Sequence, residues 1–242
     1  MASFLNVGEQ EPPHPANANH KVSDMTLYYP LQTAESQDVA VTAQLASKRA
    51  FDVAFAATML LVLAPLFLVL ILAVKLDSPG PAFFSQVRWG KDGKKIRIYK
   101  FRSMRTDACD PTGVAQTVQG DPRITRIGAF LRKTNIDELP QFFNVLKGDM
   151  SLIGPRCHAI GMRAAGMLYE YLVPQYHRRH SVRPGLTGLA QVRGWRGPTD
   201  KADWARARIA ADLHYIDNYS LALDAKIFFA TILTELRGGH GF

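Results

Sequence analysis

A chain of 242 residues, 47% apolar and 21% charged, has enough material to bury one substantial core and sits in the ordinary range for a folded protein. Its formal net charge of +8 is uneven: residues 1–46 carry one lysine against five acids, so the remainder holds +12 and expects anionic partners such as lipid headgroups, phosphorylated substrates or nucleic acid. The two cysteines, Cys109 and Cys157, exclude a disulfide framework and a cysteine metal site, and fit a reducing compartment.

Residues 1–46 are rich in Pro, Ala, Asn, Gln and Glu and lack sustained periodicity. They read as a disordered or weakly ordered leader, and no apolar run close to the initial Met marks a signal peptide. From Val53 to Val74, 22 consecutive residues carry no charge. A helix rising about 1.5 Å per residue would here reach roughly the hydrocarbon thickness of a bilayer. Pro65, near the middle, breaks that helix. Both flanks are basic, with Lys48 and Arg49 before and Lys75, Arg88, Lys91, Lys94 and Lys95 after. The positive-inside tendency puts both ends on the cytoplasmic side. The expectation is a Pro-broken re-entrant membrane helix over 47–77, with a kinked span as the alternative.

A turn cluster, Asp77–Pro81, ends that segment. Short strands are predicted over Ala82–Val87 and Lys95–Met104, the second carrying Lys100 and Arg102. Residues 106–122 read as loop, with a turn at Asp110-Pro111-Thr112-Gly113, and a basic helix follows over Thr125–Lys133. Next comes Leu131–Gln141, which sets Asp137 and Glu138 just behind Arg132 and Lys133. Leu139, Phe142, Phe143 and Leu146 fall at i, i+3, i+4 and i+7, one helical stripe. Pro140 is tolerated only in the first turn of such a helix. Both carboxylates therefore belong in or beside that turn, where unpaired N–H groups and the positive dipole end favour anions. Acids there are often plain caps, so the pair alone proves nothing.

Beyond it, Gly148 stops the helix and Gly154-Pro155 bends the chain to present Arg156. A helix is predicted over Ala159–Tyr176, then a Gly-punctuated loop and strand over Val182–Val192 that includes Arg183. Two helices close the chain, Trp204–Tyr219 and Ser220–Arg237, with Ser220 as N-cap of the second. That last helix is apolar enough to pack on the domain or lie in a membrane interface.

Adjacent carboxylates among basic side chains suit Mg²⁺-assisted chemistry on a diphosphate, the metal bridging carboxylate and phosphate oxygens while Arg and Lys neutralise charge. A carboxylate can also be the nucleophile and form an acyl phosphate. No P-loop, GxGxxG, zinc spacing or Ser/His/Asp elbow competes. His158, His177 and His180 are candidate general bases.

Six segments carry a resemblance: Ser78-Pro79-Gly80-Pro81, Tyr99–Met104, Gly120–Thr125, Leu131–Gln141, Met150–Arg156 and Pro184–Val192. Together, from Lys48-Arg49-Ala50-Phe51-Asp52 to the last helix, the chain resembles the bacterial sugar transferases, or monotopic phosphoglycosyl transferases, in their short, catalytic-domain-only form. The resemblance implies a mainly helical α+β domain over 78–242, with a small β element, a re-entrant helix and interfacial amphipathic helices. It also implies transfer of a hexose-1-phosphate from a UDP-sugar to undecaprenyl phosphate in the inner leaflet of the bacterial cytoplasmic membrane. That step opens exopolysaccharide, capsule or O-antigen assembly.

By the same resemblance Asp137 is the nucleophile that releases UMP, and Glu138, with Asp137, holds Mg²⁺. Lys100, Arg102, Arg132, Arg156 and Arg183 are implied substrate-binding cations. Membrane lipids are expected partners, nucleic acid is not, and homo-oligomerisation stays open. Ala64-Pro65 replaces the usual Ser-Pro at the break, which leaves the bend angle open. Cys157 follows Arg156 where Pro is usual. The Arg193–Gly197 turn leans toward UDP-glucose or UDP-galactose as donor. The competing class is a non-catalytic, membrane-anchored basic protein that binds anionic lipid or nucleic acid.

Overall fold

The computed structural model describes residues 34–108, 117, 120–197 and 201–237. Most of the leader, Cys109 and the turn Asp110–Gly113 lie outside them. Contacts group residues 1–39 apart from Ala40–Phe242, and all interactions below are within the latter unit.

Two helices open the described chain, α1 (Ala34–Val62) and α2 (Ala64–Asp77). Helix α1 begins inside the stretch read as a leader. Pro65 occupies the first turn of α2, where its missing N–H and fixed φ do no harm. It can offer no N–H to the last turn of α1, so the chain breaks at Leu63 and the two helices meet with a bend of 62°. Among the described residues no single helix is long and apolar enough to cross a membrane; the bent pair together is. One face of α2 is buried through Phe67, Leu70 and Val74, which pack with Ala82, Phe101 and Leu131. Leu61, Leu68, Val69, Leu72 and Leu76 remain exposed.

The antiparallel hairpin β1 (Phe83–Trp89) and β2 (Lys95–Phe101) pairs Phe84 with Lys100 and Gln86 with Ile98. Helix α3 (Arg126–Lys133) is capped by Thr125, whose hydroxyl accepts from Gly128 N at 3.0 Å. Asp77, at the end of α2, accepts from Ile127 N at 3.0 Å. Gly128 is required here, since a Cβ would sit 2.0 Å from the Ser103 carbonyl oxygen. A single 3₁₀ turn, Ile136–Glu138, precedes α4 (Gln141–Lys147), and Gly148, at φ 87°, ends α4. The carboxylates therefore sit on their own turn, not in the first turn of the next helix. Pro140 is already the cap of α4, which pushes them one step upstream.

Strand β3 (Ser151–Ile153) runs parallel to β6 (Gly185–Thr187), pairing Ser151 with Gly185 and Ile153 with Thr187. The helix predicted over Ala159–Tyr176 is absent. That stretch forms a two-rung hairpin, β4 (Arg163–Ala164) and β5 (Met167–Leu168), then one turn of helix, α5 (Tyr169–Leu172), and a 3₁₀ turn over Tyr176–Ser181. Ala165 and Gly166 both take positive φ there, and Pro174 ends the short helix. After the one-turn α6 (Leu189–Val192) come α7 (Ala202–Asp217) and α8 (Leu221–Leu236). Ser220 caps α8 by accepting from Leu223 N at 3.2 Å. The central core joins Ala56 of α1 to Val145, Met150, Leu152, Tyr215 and Ile227. The described unit is mainly helical with small sheets, an α+β arrangement.

Candidate active site

The carboxylate turn forms part of the wall of a cavity of about 630 Å³, opposite side chains of β1, β2, α6 and α8. Asn135, in the left-handed conformation at φ 55°, turns the chain out of α3 and aims Asp137 and Glu138 inward. Asn is among the residues that accept that conformation at least cost. Asn144 of α4 then locks this segment to β2, accepting from Tyr99 N at 3.0 Å and donating to Arg97 O at 2.7 Å. Lys100, one residue on, is thereby held against the turn.

Glu138 is fully engaged. Lys100 Nζ lies 2.6 Å from its Oε1, and Arg156 donates from Nη1 to Oε2 at 2.9 Å and from Nη2 to Oε1. Burial pushes its carboxyl up, but the two cations outweigh burial and hold it well below the usual range. Asp137 differs. It is 6% exposed, its nearest cation is Lys100 Nζ at 3.6 Å, and it accepts no hydrogen bond among the described residues. Burial, reinforced by the Glu138 charge, raises its carboxyl above the ordinary value despite Lys100. Two adjacent carboxylates thus occupy opposite states, one neutralised by partners and one exposed in charge.

Arg156 reaches the site because Gly154-Pro155 bends the chain. Gly154 N donates to Thr187 O at 2.9 Å, and a Cβ on Gly154 would sit 2.6 Å from Arg183 O. Behind it the buried Arg179–Asp212 pair closes at 2.6 Å, and Arg179 also donates to Arg156 O at 2.5 Å. Arg132 lines the cavity and donates to Thr117 Oγ1 at 2.8 Å, with Ser103 Oγ at 3.4 Å.

Lys100, Arg132, Arg156, Asp137 and Glu138 are thus brought together, as the sequence analysis expects. Of the two other named cations, Arg102 also lines the cavity but is engaged elsewhere, and Arg183 does not line it. Arg102 is buried, and its guanidinium donates to the carbonyls of Val74, Ser78 and Pro79 and to Thr106 Oγ1, so it fastens the end of α2. Arg183 lies off the cavity and donates to Gly148 O at 3.0 Å. Of His158, His177 and His180, only His158 lines the cavity. Burial, then Arg179, Arg208 and Arg88, hold it neutral. His180 is pushed down to about 4, mainly by burial, and His177 is largely exposed near Glu170.

Sequence reasoning missed Gln86 and Arg88, which line the cavity from β1. Period-two alternation through Phe84, Gln86 and Arg88 was the available signal. It also missed Asn135, which donates to Glu235 Oε2 at 3.0 Å, and Arg196, which donates to Glu235 Oε1 at 3.0 Å. These contacts span about 100 and 39 residues, beyond any local pattern.

Among the described residues no group of three His, Cys, Asp or Glu side chains converges on a metal position. Asp137 offers Mg²⁺ unclaimed carboxylate oxygens, with Glu138 adjoining it in the grip of Lys100 and Arg156, and so small a protein donor set fits an ion that keeps water and substrate phosphate oxygens in most of its shell.

An under-satisfied carboxylate beside a second one gripped by cations in a basic cavity is an arrangement that suits phosphoryl transfer. The bacterial sugar transferase family profile matches residues 43–238, and the chain belongs to that family of enzymes. It is 65% identical to an exopolysaccharide production protein of Rhizobium leguminosarum bv. phaseoli, over 81% of this chain and 98% of that one. It is 49% identical to the UDP-glucose:undecaprenyl-phosphate glucose-1-phosphate transferase of Escherichia coli K12, over 76% of this chain. An Aeromonas hydrophila UDP-N-acetylgalactosamine-undecaprenyl-phosphate N-acetylgalactosaminephosphotransferase is 47% identical over 79%. The matches span only 39% and 44% of those two longer proteins.

Proposed function

We propose that this enzyme transfers a hexose-1-phosphate from a UDP-sugar, UDP-glucose or UDP-galactose first, to undecaprenyl phosphate, the opening step of exopolysaccharide, capsule or O-antigen assembly. The observation that carries the reading is Asp137: a buried carboxylate without a hydrogen-bond partner among the described residues, set beside Lys100, Arg132 and Arg156 in one cavity. Its charge is poorly stabilised, which leaves it nucleophilic. A carboxylate oxygen of Asp137 attacks the β-phosphorus of the donor. The bond from that phosphorus to the bridging oxygen breaks, and the electron pair leaves with UMP. An oxygen of the lipid phosphate then attacks the same phosphorus, the aspartyl–phosphorus bond breaks, and the Asp137 carboxylate is restored.

Lys100, Arg132 and Arg156 neutralise the phosphoryl oxygens during both displacements. Glu138 orients Lys100 and Arg156 for that task. Asp137 and Glu138 would hold Mg²⁺, which when bound supplies charge neutralisation on the diphosphate. His158 stays neutral and outside the proton inventory, since neither displacement needs a base.

The bent α1–α2 pair is read as a re-entrant element in the cytoplasmic membrane, with the cavity on the cytoplasmic face. Its exposed Leu61, Leu68, Leu72 and Leu76, together with Phe229, Leu233 and Leu236 of α8, support that placement. Cysteines placed before Lys48 and after Lys75 should label from the same side; labelling from opposite sides would leave a span instead. The functional test offers membranes containing the enzyme Mg²⁺, undecaprenyl phosphate and a panel of UDP-sugars, N-acetylated ones included. UMP release with one hexose donor supports the reading, and silence with all of them ends it.

A further inference from the structure

Buried or half-buried charges in folded proteins are paired, because an isolated ion loses its hydration without compensation. Among the described residues four guanidinium groups on the cavity wall make no ion pair: Arg102 is spent on the carbonyls that end α2 and Arg132 lies beside Asp137, which leaves Arg88 and Arg208 without an assigned task. Arg88 of β1 is half-buried beside Arg156, and among the described residues no carboxylate lies within ion-pair distance of it. Its Nε donates to Gln86 Oε1 at 2.7 Å, with Gln86 itself only 5% exposed, and its Nη1 donates to Cys157 O at 3.3 Å. These two neutral acceptors fix the plane of the guanidinium and, among the described residues, leave Nη2 without a protein acceptor. Arg208 of α7, 8% exposed, likewise makes no ion pair. It donates to the carbonyls of Trp195 and Gly197, at 3.0 and 2.8 Å, and to Tyr169 Oη at 3.5 Å. His158 lies close enough to both to feel each charge. Asp212, whose charge reaches Arg208, is already paired with Arg179.

The other cations of the cavity have their own tasks: Lys100 and Arg156 grip Glu138, Arg132 neighbours Asp137, Arg102 fastens α2, and Arg123 and Arg196 pair with Asp121 and Glu235. Arg88 is one guanidinium further along the same wall, next to Arg156. A diphosphate places its second phosphorus one bridging oxygen from the first. A group that leaves from a covalent aspartyl phosphate and the group that replaces it occupy the same position opposite the aspartate. We propose that Arg88, backed by Arg208, forms a phosphate-monoester subsite that holds first the departing nucleotide phosphate and then the phosphate of the lipid acceptor. The inference rests on the double-displacement reading above and adds the shared seat of the leaving and entering groups.

The test uses the full chain in detergent or nanodiscs, as the parent and as Arg88→Gln and Arg88→Lys. Three constants are compared: UMP binding by calorimetry without turnover, KM for the UDP-sugar, and KM for undecaprenyl phosphate. Loss of the charge in Arg88→Gln should weaken UMP binding and raise KM for the lipid phosphate together, each by about 10- to 100-fold. Arg88→Lys, which keeps the charge and loses the fork, should recover part of both and certifies the fold. UMP binding and both KM values within twofold of the parent would overturn the subsite. A shift in the nucleotide constants alone, or in the lipid constant alone, would overturn the sharing. UMP binding that depends on Arg88, in a parent that releases no UMP from any UDP-sugar, would sink the transfer reading and leave the subsite standing.

Discussion

Two polar clusters in this molecule use the same residue types to opposite ends. The first ties α1 to the domain. Asp52, 2% exposed, accepts from Ser151 Oγ at 2.7 Å and from Leu152 N at 3.2 Å. Lys48 pairs with Asp224 at 2.7 Å, Tyr215 donates to the same carboxylate at 2.7 Å, and Arg49 donates to Val145 O and Leu146 O. Every one of these side chains has a protein partner. The second cluster, at the carboxylate turn, leaves Asp137 without a hydrogen bond and Arg88 without a counter-ion among the described residues. A satisfied network fixes structure, whereas an unsatisfied one keeps binding capacity for something that is not protein.

Breaking the unsatisfied cluster should cost chemistry and not folding. Asp137→Asn is expected to lower UMP release by at least about 10³-fold. The same change should raise the melting temperature. Burial holds the folded-state pKa of Asp137 above its unfolded value, so at neutral pH the ionised form opposes folding, and the neutral isostere removes that opposition. A gain of about 1 kcal/mol would appear as roughly 2–4 °C in a thermal melt. Glu138→Gln should lower turnover by about 10²-fold, because Lys100 and Arg156 lose the anion that orients them. Steady-state kinetics at saturating donor would register it in kcat.

The satisfied cluster should behave in the reverse way. Asp52→Ala strands the Leu152 N–H in the interior, while the Ser151 hydroxyl keeps Ile153 O at 3.0 Å, and should destabilise the fold by about 1–3 kcal/mol. Turnover per folded molecule, measured at low temperature, should stay within a few-fold. Acidification probes the contrast without mutation. Asp137 must be ionised to attack, and its pKa is raised, so kcat/KM should fall on lowering pH at values above the ordinary aspartate pKa of about 3.9. The smallest effect belongs to Arg183→Ala, which loses one surface bond to Gly148 O and should leave KM for the donor within twofold.

Much of this was legible from local pattern. The Pro65 break, the Thr125 and Ser220 caps, the Gly148 stop and the Gly154-Pro155 bend all follow from what single residues allow. The basic and acidic residues of Leu131–Gln141 marked the centre of the site. What local pattern could not reach was partner choice. Arg102 looks like Lys100 in sequence and shares its strand parity, yet it lies just past the end of β2, and its guanidinium is drawn to the carbonyls that end α2 while Lys100 meets Glu138. The Ala159–Tyr176 stretch reads as helical by composition, but the positive φ at Ala165 and Gly166 belongs to a hairpin turn. Arg88 read as flank charge because its neighbours in space, Arg156 and His158, lie some seventy residues away in the chain.

The central claim is that Asp137, and not its better-satisfied neighbour, becomes covalently bonded to phosphorus. Enzyme mixed with Mg²⁺ and a labelled UDP-sugar, without lipid acceptor, should gain the mass of one hexose phosphate. Digestion should place it on the peptide bearing Asp137, and added undecaprenyl phosphate should remove it. An adduct that survives Asp137→Asn, or turnover that proceeds with the label never on protein, would contradict the account.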